Sequence, residues 1–236
     1  MSPLGKESGP ADGAFLVLLY TALSLTLYHY VLSGRVFALV FPRVTHPLGL
    51  FAWWVGGIVI LWIVIPLIIG RRLGLALSQL GLSFGELRKW LWVFGVLYLV
   101  MLVGVLWASR QPSFLRTYPL LHVPNPAQWT WAVLLVYWTL YAIQFIGVEV
   151  FFRGFMVFTL HPRFGNAAIA VMVIPYTTIH FGKPMAESLG AIVAGVVLGW
   201  LALRARSIWG GVALHVAIAI TMDCLAMWNA AGVGWP

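Results

Sequence analysis

Charge is what this sequence has least of. Only 8% of its 236 residues are Asp, Glu, Lys or Arg, while 62% are hydrophobic. Mean hydropathy is +0.96. Soluble domains are about 25% charged, so too few charges exist here to cover a water-facing surface, and a soluble fold is excluded. Cysteine is nearly absent as well. The single Cys224 lies in an apolar run, which excludes a disulfide framework and a CxxC metal site. Acids are fewer than bases, 6 against 14, for a net charge of +8. The bases are spread over loops between apolar runs, a pattern that suits membrane topology and anionic headgroups rather than nucleic acid. The sequence shows neither an internal repeat nor a low-complexity segment.

What is present is a series of long apolar runs. A spanning helix needs roughly 20 apolar residues, and candidates lie at about 14–33, 48–70, 90–109, 129–148 (running on toward 160), 166–180, 187–203 and 208–229. The fold class is therefore all-α: a polytopic membrane helix bundle of about seven to eight transmembrane helices, eight if the segment around Glu149 breaks in two. Residues 1–236 form a single membrane domain. The first run follows a polar leader, Met1 to Gly13, without a small-residue cleavage site, and is read as a first span. Between 71 and 90, basic ends flank apolar residues at helical spacing, which predicts an interfacial amphipathic helix. The proline-rich stretch 110–128 is read as a loop outside the hydrocarbon. With seven spans, Lys6, Arg71, Arg72, Arg88, Lys89, Arg163, Arg204 and Arg206 fall on one side. Arg35, Arg43, Arg110, Arg116 and Lys183 fall on the other, and eight against five favours a cytoplasmic N-terminus. Ala191, Gly195 and Gly199 form a small-residue stripe that admits a close helix neighbour.

Of the six acids, only Glu149 and Asp223 sit well inside apolar stretches; of the histidines, His46, His122 and His161 lie beside prolines in loops, His29 lies near the end of the first span within reach of the interface, His180 ends an apolar run and His215 sits inside one. An ionisable group within a span costs a few kcal/mol or more, so it faces a partner or a wet cavity. Glu149 and Arg153 share a helix face at i, i+4; read alone, they are a local ion pair. His180 alone is an interfacial histidine and His215 a core one. Together, one carboxylate and two imidazoles from three segments are able to take a proton from water and stabilise an oxyanion. A two-histidine, one-carboxylate metal site is stereochemically open to them, although no HExxH motif occurs.

The order and spacing also resemble a family. "VEVFFRG" at 148–154, "YTTIHFGKP" at 176–184, "GAIVAGVVLGWLALRARSIWGG" at 190–211 and "LHVAIAITMD" at 214–223 are similar to the motifs of the CAAX endopeptidase and bacteriocin-processing (CPBP, or ABI) membrane proteases. The resemblance covers a core at about 144–227. The family's motifs are a glutamate pair with arginine after three further residues, an aromatic four before a histidine, and a histidine four before an asparagine. This chain departs at two positions: Val148 replaces the first glutamate, and Ala219 stands where the asparagine is expected. In the family that glutamate is assigned the water-activating role, and the asparagine helps hold the oxyanion. Asp223, eight residues after His215, is a candidate to orient His215, to act as a replacement acid, or to cap the interface.

The resemblance implies an intramembrane endopeptidase that hydrolyses a peptide bond of a membrane-associated protein or peptide. Glu149 is expected to activate water, Arg153 to hold Glu149, and His180 and His215 to position the water and stabilise the oxyanion. This scheme requires no cofactor and no metal. The expected partners are the lipid bilayer and a membrane protein or peptide, with no nucleic acid. The expected location is the cell membrane, multi-pass, as in a bacterial inner membrane. Val148 and Ala219 support the alternative, a catalytically inactive relative that binds a peptide or partner for immunity or assembly. A small transporter fits the composition but not the order of the motifs, and the internal repeats common in transporters are missing.

Overall fold

The computed structural model of the chain describes residues 10–123 and 128–229, and no strand occurs among them. The helices are α1 (Pro10–Val31), α2 (Pro47–Arg72), α3 (Leu87–Ala108), α4 (Trp131–Phe164), α5 (Ala167–Thr178), α6 (Met185–Ala205) and α7 (Trp209–Asn229). Short helical turns occur at Gly34–Val40 and Pro112–Leu115. Six of these helices, all but α5, are long and apolar enough to cross a membrane. The span expected at 166–180 is the 12-residue α5, only about 18 Å long at 1.5 Å per residue. The break considered near Glu149 does not occur, because α4 runs unbroken over 34 residues.

Contacts between helix ends define two faces of the bundle. On one, Gly13 lies against Leu73, and the amide of Ile208 donates to the Gly81 carbonyl at 2.9 Å. The Glu86 amide donates to Ala205 at 2.7 Å, and Trp209 Nε1 to Leu82 at 2.9 Å. We call this the Gly81 face. On the other, Tyr118 Oη donates to Glu187 Oε2 at 2.7 Å, and Asn229 Nδ2 donates to the Ser109 carbonyl at 3.1 Å. Leu32, Pro47, Leu120 and His122 share one shallow cavity there. We call this the Tyr118 face.

The interfacial helix expected over 71–90 is absent. Between the end of α2 at Arg72 and the start of α3 at Leu87 the segment holds only the 3-10 turn Leu77–Leu80, because Gly74, Gly81 and Gly85 adopt φ of 78°, 72° and 48°. Positive φ ends a right-handed helix, so helical spacing of apolar residues did not suffice here. The segment instead plugs the Gly81 face. Leu80 is buried, and its carbonyl lies where a Cβ on Gly154 would meet it, at 2.9 Å.

Two spans change their winding midway. In α2 the residues Val59–Val64 form a π-helix, in which each carbonyl accepts from the fifth residue on. For Leu61 that residue is Pro66, which has no N–H. Tyr20 Oη fills the gap, donating to the Leu61 carbonyl at 2.6 Å. Trp62 Nε1 donates to Ser24 Oγ at 3.0 Å, and its ring stacks on Phe151 with centroids 5.6 Å apart. The aromatic core thus fastens α1 and α2 to α4. In α4, Thr130 caps the start by accepting from the Val133 amide at 3.2 Å, and Glu149–Phe158 are π-wound. The stripe Ala191, Gly195 and Gly199 lets α6 approach α5. A Cβ on Gly195 would lie 2.9 Å from Val173 and 3.2 Å from Tyr176, so this close packing sets the position of Tyr176.

Gly85 offers a test of the plug. A Cβ there would fall 2.4 Å from the Ala205 carbonyl oxygen at a φ of 48°, so Gly85→Ala combines backbone strain with overpacking. The expected loss is about 1–3 kcal/mol, measured as a lower unfolding temperature in detergent, with Gly95→Ala, at which a Cβ meets nothing within 4 Å, unchanged.

Candidate active site

The polar residues of the apolar core form one chain of contacts. Glu149 is 1% exposed and Arg153 0%. Arg153 Nη1 lies 3.1 Å from Glu149 Oε1, and His215 Nδ1 lies 3.0 Å from the same oxygen. None of these contacts has the angle of a hydrogen bond, so the guanidinium and the imidazole flank the carboxylate as close polar neighbours rather than fork onto it. Arg153 Cζ also sits 4.2 Å from the centroid of the Tyr176 ring, a cation–π contact that helps offset the desolvation of a buried cation. Tyr176 Oη and His215 Nε2 are 3.1 Å apart. The His215 ring stacks on Phe145 with centroids 5.1 Å apart and an interplanar angle of 6°. Both ring nitrogens and one face of His215 are therefore engaged.

Glycine makes the central contact possible. A Cβ on Gly211 would lie 2.4 Å from Glu149 Oε2, so α7 reaches the carboxylate only because this position lacks a side chain. The π-winding that starts at Glu149 contributes from the other side. It alters the helical register over the whole segment that carries Glu149 and Arg153, a device that recurs at functional sites.

His180 belongs to the same neighbourhood by a different route. Its Nδ1 lies 2.8 Å from the Tyr176 carbonyl. A carbonyl only accepts, so Nδ1 carries the proton and Nε2 holds a lone pair. The ring meets Tyr176 edge-on, with centroids 4.9 Å apart.

These groups border a cavity of about 790 Å³. Val148, Tyr176, His180, His215 and Ala219 line it, and Glu149 and Arg153 do not. The structure thus brings Glu149, Arg153 and His215 into contact and places His180 on the cavity they back. It turns Val148, not Glu149, toward the cavity. Asp223 is not part of the constellation: it is wholly buried beside Tyr137, Trp138 and the Leu120 backbone. Among the described residues no group of three or more His, Cys, Asp or Glu converges as a metal site.

Two participants escaped the sequence reading. Tyr176 was noted only as a motif aromatic, yet it touches Arg153, His180 and His215. Gln144 is 6% exposed, lines the cavity and has no partner for Oε1. Its signal was a carboxamide inside an apolar run, one turn before Val148.

One outcome follows from this geometry. Arg153→Leu leaves Glu149 buried without its cation, and the expected cost is roughly 3–5 kcal/mol, read as lost accumulation in membranes or a lowered unfolding temperature.

Comparison with known proteins gives one match. The family model Type II CAAX prenyl endopeptidase Rce1-like matches residues 127–221. No curated protein and no solved structure matches the chain significantly. The matched segment contains Glu149, Arg153, Tyr176, His180 and His215, so the part of the chain that builds the site is the part similar to the type II CAAX prenyl endopeptidase Rce1-like family.

Proposed function

We propose that this multi-pass membrane protein is an intramembrane peptidase that hydrolyses a peptide bond of a membrane-associated protein or peptide inside the 790 Å³ cavity. The observation that carries the reading is the contact chain Arg153–Glu149–His215–Tyr176, drawn from three helices and ending on a cavity that His180 also lines.

The roles follow from access. Glu149 is sealed from the cavity, so it acts through His215 as a positioning residue, in the manner of a carboxylate behind an imidazole. His180 lines the cavity, and Nε2 of its neutral ring takes the proton from water as the oxygen attacks the carbonyl carbon. The oxyanion forms against the Tyr176–His215 pair, where a preorganised dipole acts in a medium of low dielectric. The His180 imidazolium then returns its proton to the leaving amine as the C–N bond breaks. Arg153 holds Glu149 from below. No step calls for a metal or a cofactor.

One observation favours a second reading. Val148 occupies the cavity wall at the position of the family's first glutamate, and Ala219 stands at that of its asparagine. A relative that has lost hydrolysis and binds a peptide in the same cavity fits those two side chains.

Comparing membrane peptides from cells carrying the wild type, His180→Ala and Glu149→Gln separates the two. The peptidase reading expects cut products from the wild type and their loss, on the order of 10²–10⁴-fold in rate, in His180→Ala. Glu149→Gln is expected to lower the rate and also to change its pH dependence, which a merely structural role would not do. An inert wild type together with hydrolysis gained by Val148→Glu with Ala219→Asn would establish the binding reading instead.

A further inference from the structure

The direction in which the cavity opens follows from the two faces of the bundle. Its outer lining comes from the Tyr118 face: Gln111, Ser113 and Tyr118 from the α3–α4 connection, Lys183 from the α5–α6 connection, and Met185 and Glu187 from the first turn of α6. No residue from the α2–α3, α4–α5 or α6–α7 connections lines it. On the Gly81 face those connections close the bundle, through the hydrogen bonds of Gly81, Leu82 and Glu86 to the α6–α7 corner. The cavity is a cup with its mouth on the Tyr118 face.

The basic residues are unequally divided between the faces. Among the described residues the Gly81 face holds Arg71, Arg72, Arg88, Lys89, Arg163, Arg204 and Arg206. The Tyr118 face holds Arg35, Arg43, Arg110, Arg116 and Lys183. Lys183 is also matched there by Glu187, at 2.7 Å. On the Gly81 face the charges sit directly at helix ends, as Arg71–Arg72 at the end of α2 and Arg88–Lys89 at the start of α3. Loops this short are the ones whose Lys and Arg bias sets orientation, with the richer side cytoplasmic. The helix ends also settle the parity. His180, at the far end of α5, accepts from Ser188 Oγ at the start of α6, so even the short α5 carries the chain from one face to the other.

We infer that the Gly81 face is cytoplasmic and that the reactive cavity opens to the opposite, non-cytoplasmic side of the membrane. Resting on the peptidase reading, this names the substrate class: a peptide segment that has already crossed the membrane, such as an exported peptide or the outer juxtamembrane stretch of a membrane protein. A translocation step must precede the cleavage. The paired charges Lys183 and Glu187, with Tyr118 Oη donating to Glu187, give the mouth a polar rim suited to a peptide arriving from water.

The test uses the full chain in a Gram-negative host, with Cys224→Ser as background. Met185→Cys reports the mouth and Phe84→Cys the closed end; the native side chains are 77% and 72% exposed. Intact cells are treated with a membrane-impermeant sulfonate thiol reagent, then lysed and labelled with biotin maleimide. The expected result is blocking of Met185→Cys faster than Phe84→Cys by on the order of tenfold or more, because the bilayer excludes a charged reagent. Equal or reversed blocking overturns the inference. Should neither thiol react even after lysis, fusions at the C-terminus decide, since α7 ends on the Tyr118 face. Alkaline phosphatase is expected to be active and a green fluorescent protein dark, and the reverse overturns the inference. Neither measurement needs hydrolysis. An inert protein with an outward mouth counts only against the peptidase reading, and an active one with a cytoplasmic mouth only against this inference.

Discussion

A wholly buried guanidinium is the constraint around which this bundle is arranged. Arg153 has no access to water, and moving such a charge out of water costs several kcal/mol even after relaxation. Three partners answer it: the Glu149 carboxylate, the Tyr176 ring, and, through the carboxylate, the His215 imidazole. Each partner fixes a different helix, so the charge ties α4, α5 and α7 together. The small side chains at Gly195 and Gly211 serve the same end, since each removes a Cβ that would hold Tyr176 or Glu149 away. Replacing the whole cluster by hydrocarbon is a simpler way to fill a membrane core. That the chain carries it argues for chemistry rather than for stability alone.

The arrangement separates charge from reactivity. The Glu149–Arg153 pair is sealed behind the wall, and the depth of the cavity meets imidazole, phenol and carboxamide, with the Lys183–Glu187 pair only at its mouth. A peptide entering such a space does not have to compete with a strong salt bridge for its hydrogen bonds, yet it sits in the field of one. In the proposed mechanism the residues in contact with the cavity are those whose protons move, and the buried ones set their orientation.

Much of this was legible in the sequence, and the parts that were not have identifiable causes. The apolar runs gave the spans because hydrocarbon thickness dictates length. The expected helix over 71–90 failed because periodicity is blind to backbone dihedrals, and three glycines with positive φ turned an amphipathic pattern into a plug. The π-winding at Glu149 leaves no mark in composition, and neither does the pairing of the Leu61 carbonyl with Tyr20, which needs both the winding and Pro66. The ion pair was readable from its spacing, and so was the divergence of positions 148 and 149 around a helix. The sequence could not say which of those two would face the cavity. His180 was readable as a candidate, but its locked tautomer depends on the carbonyl of Tyr176, and carbonyls carry no sequence signal.

The shortness of α5 has a consequence for water. At about 18 Å the helix is shorter than a hydrocarbon layer of about 30 Å, and the turns from Ile179 to Pro184 complete the crossing to the Tyr118 face. Irregular backbone survives within hydrocarbon only against protein or a hydrated cavity, and His180 and Lys183 of this segment line the cavity. The gap left by the missing helical turns is thus a notch in the membrane barrier, through which solvent descends to the imidazole. The same truncation that denies the bundle a full seventh span gives a reaction consuming water its supply, inside a layer that otherwise holds almost none.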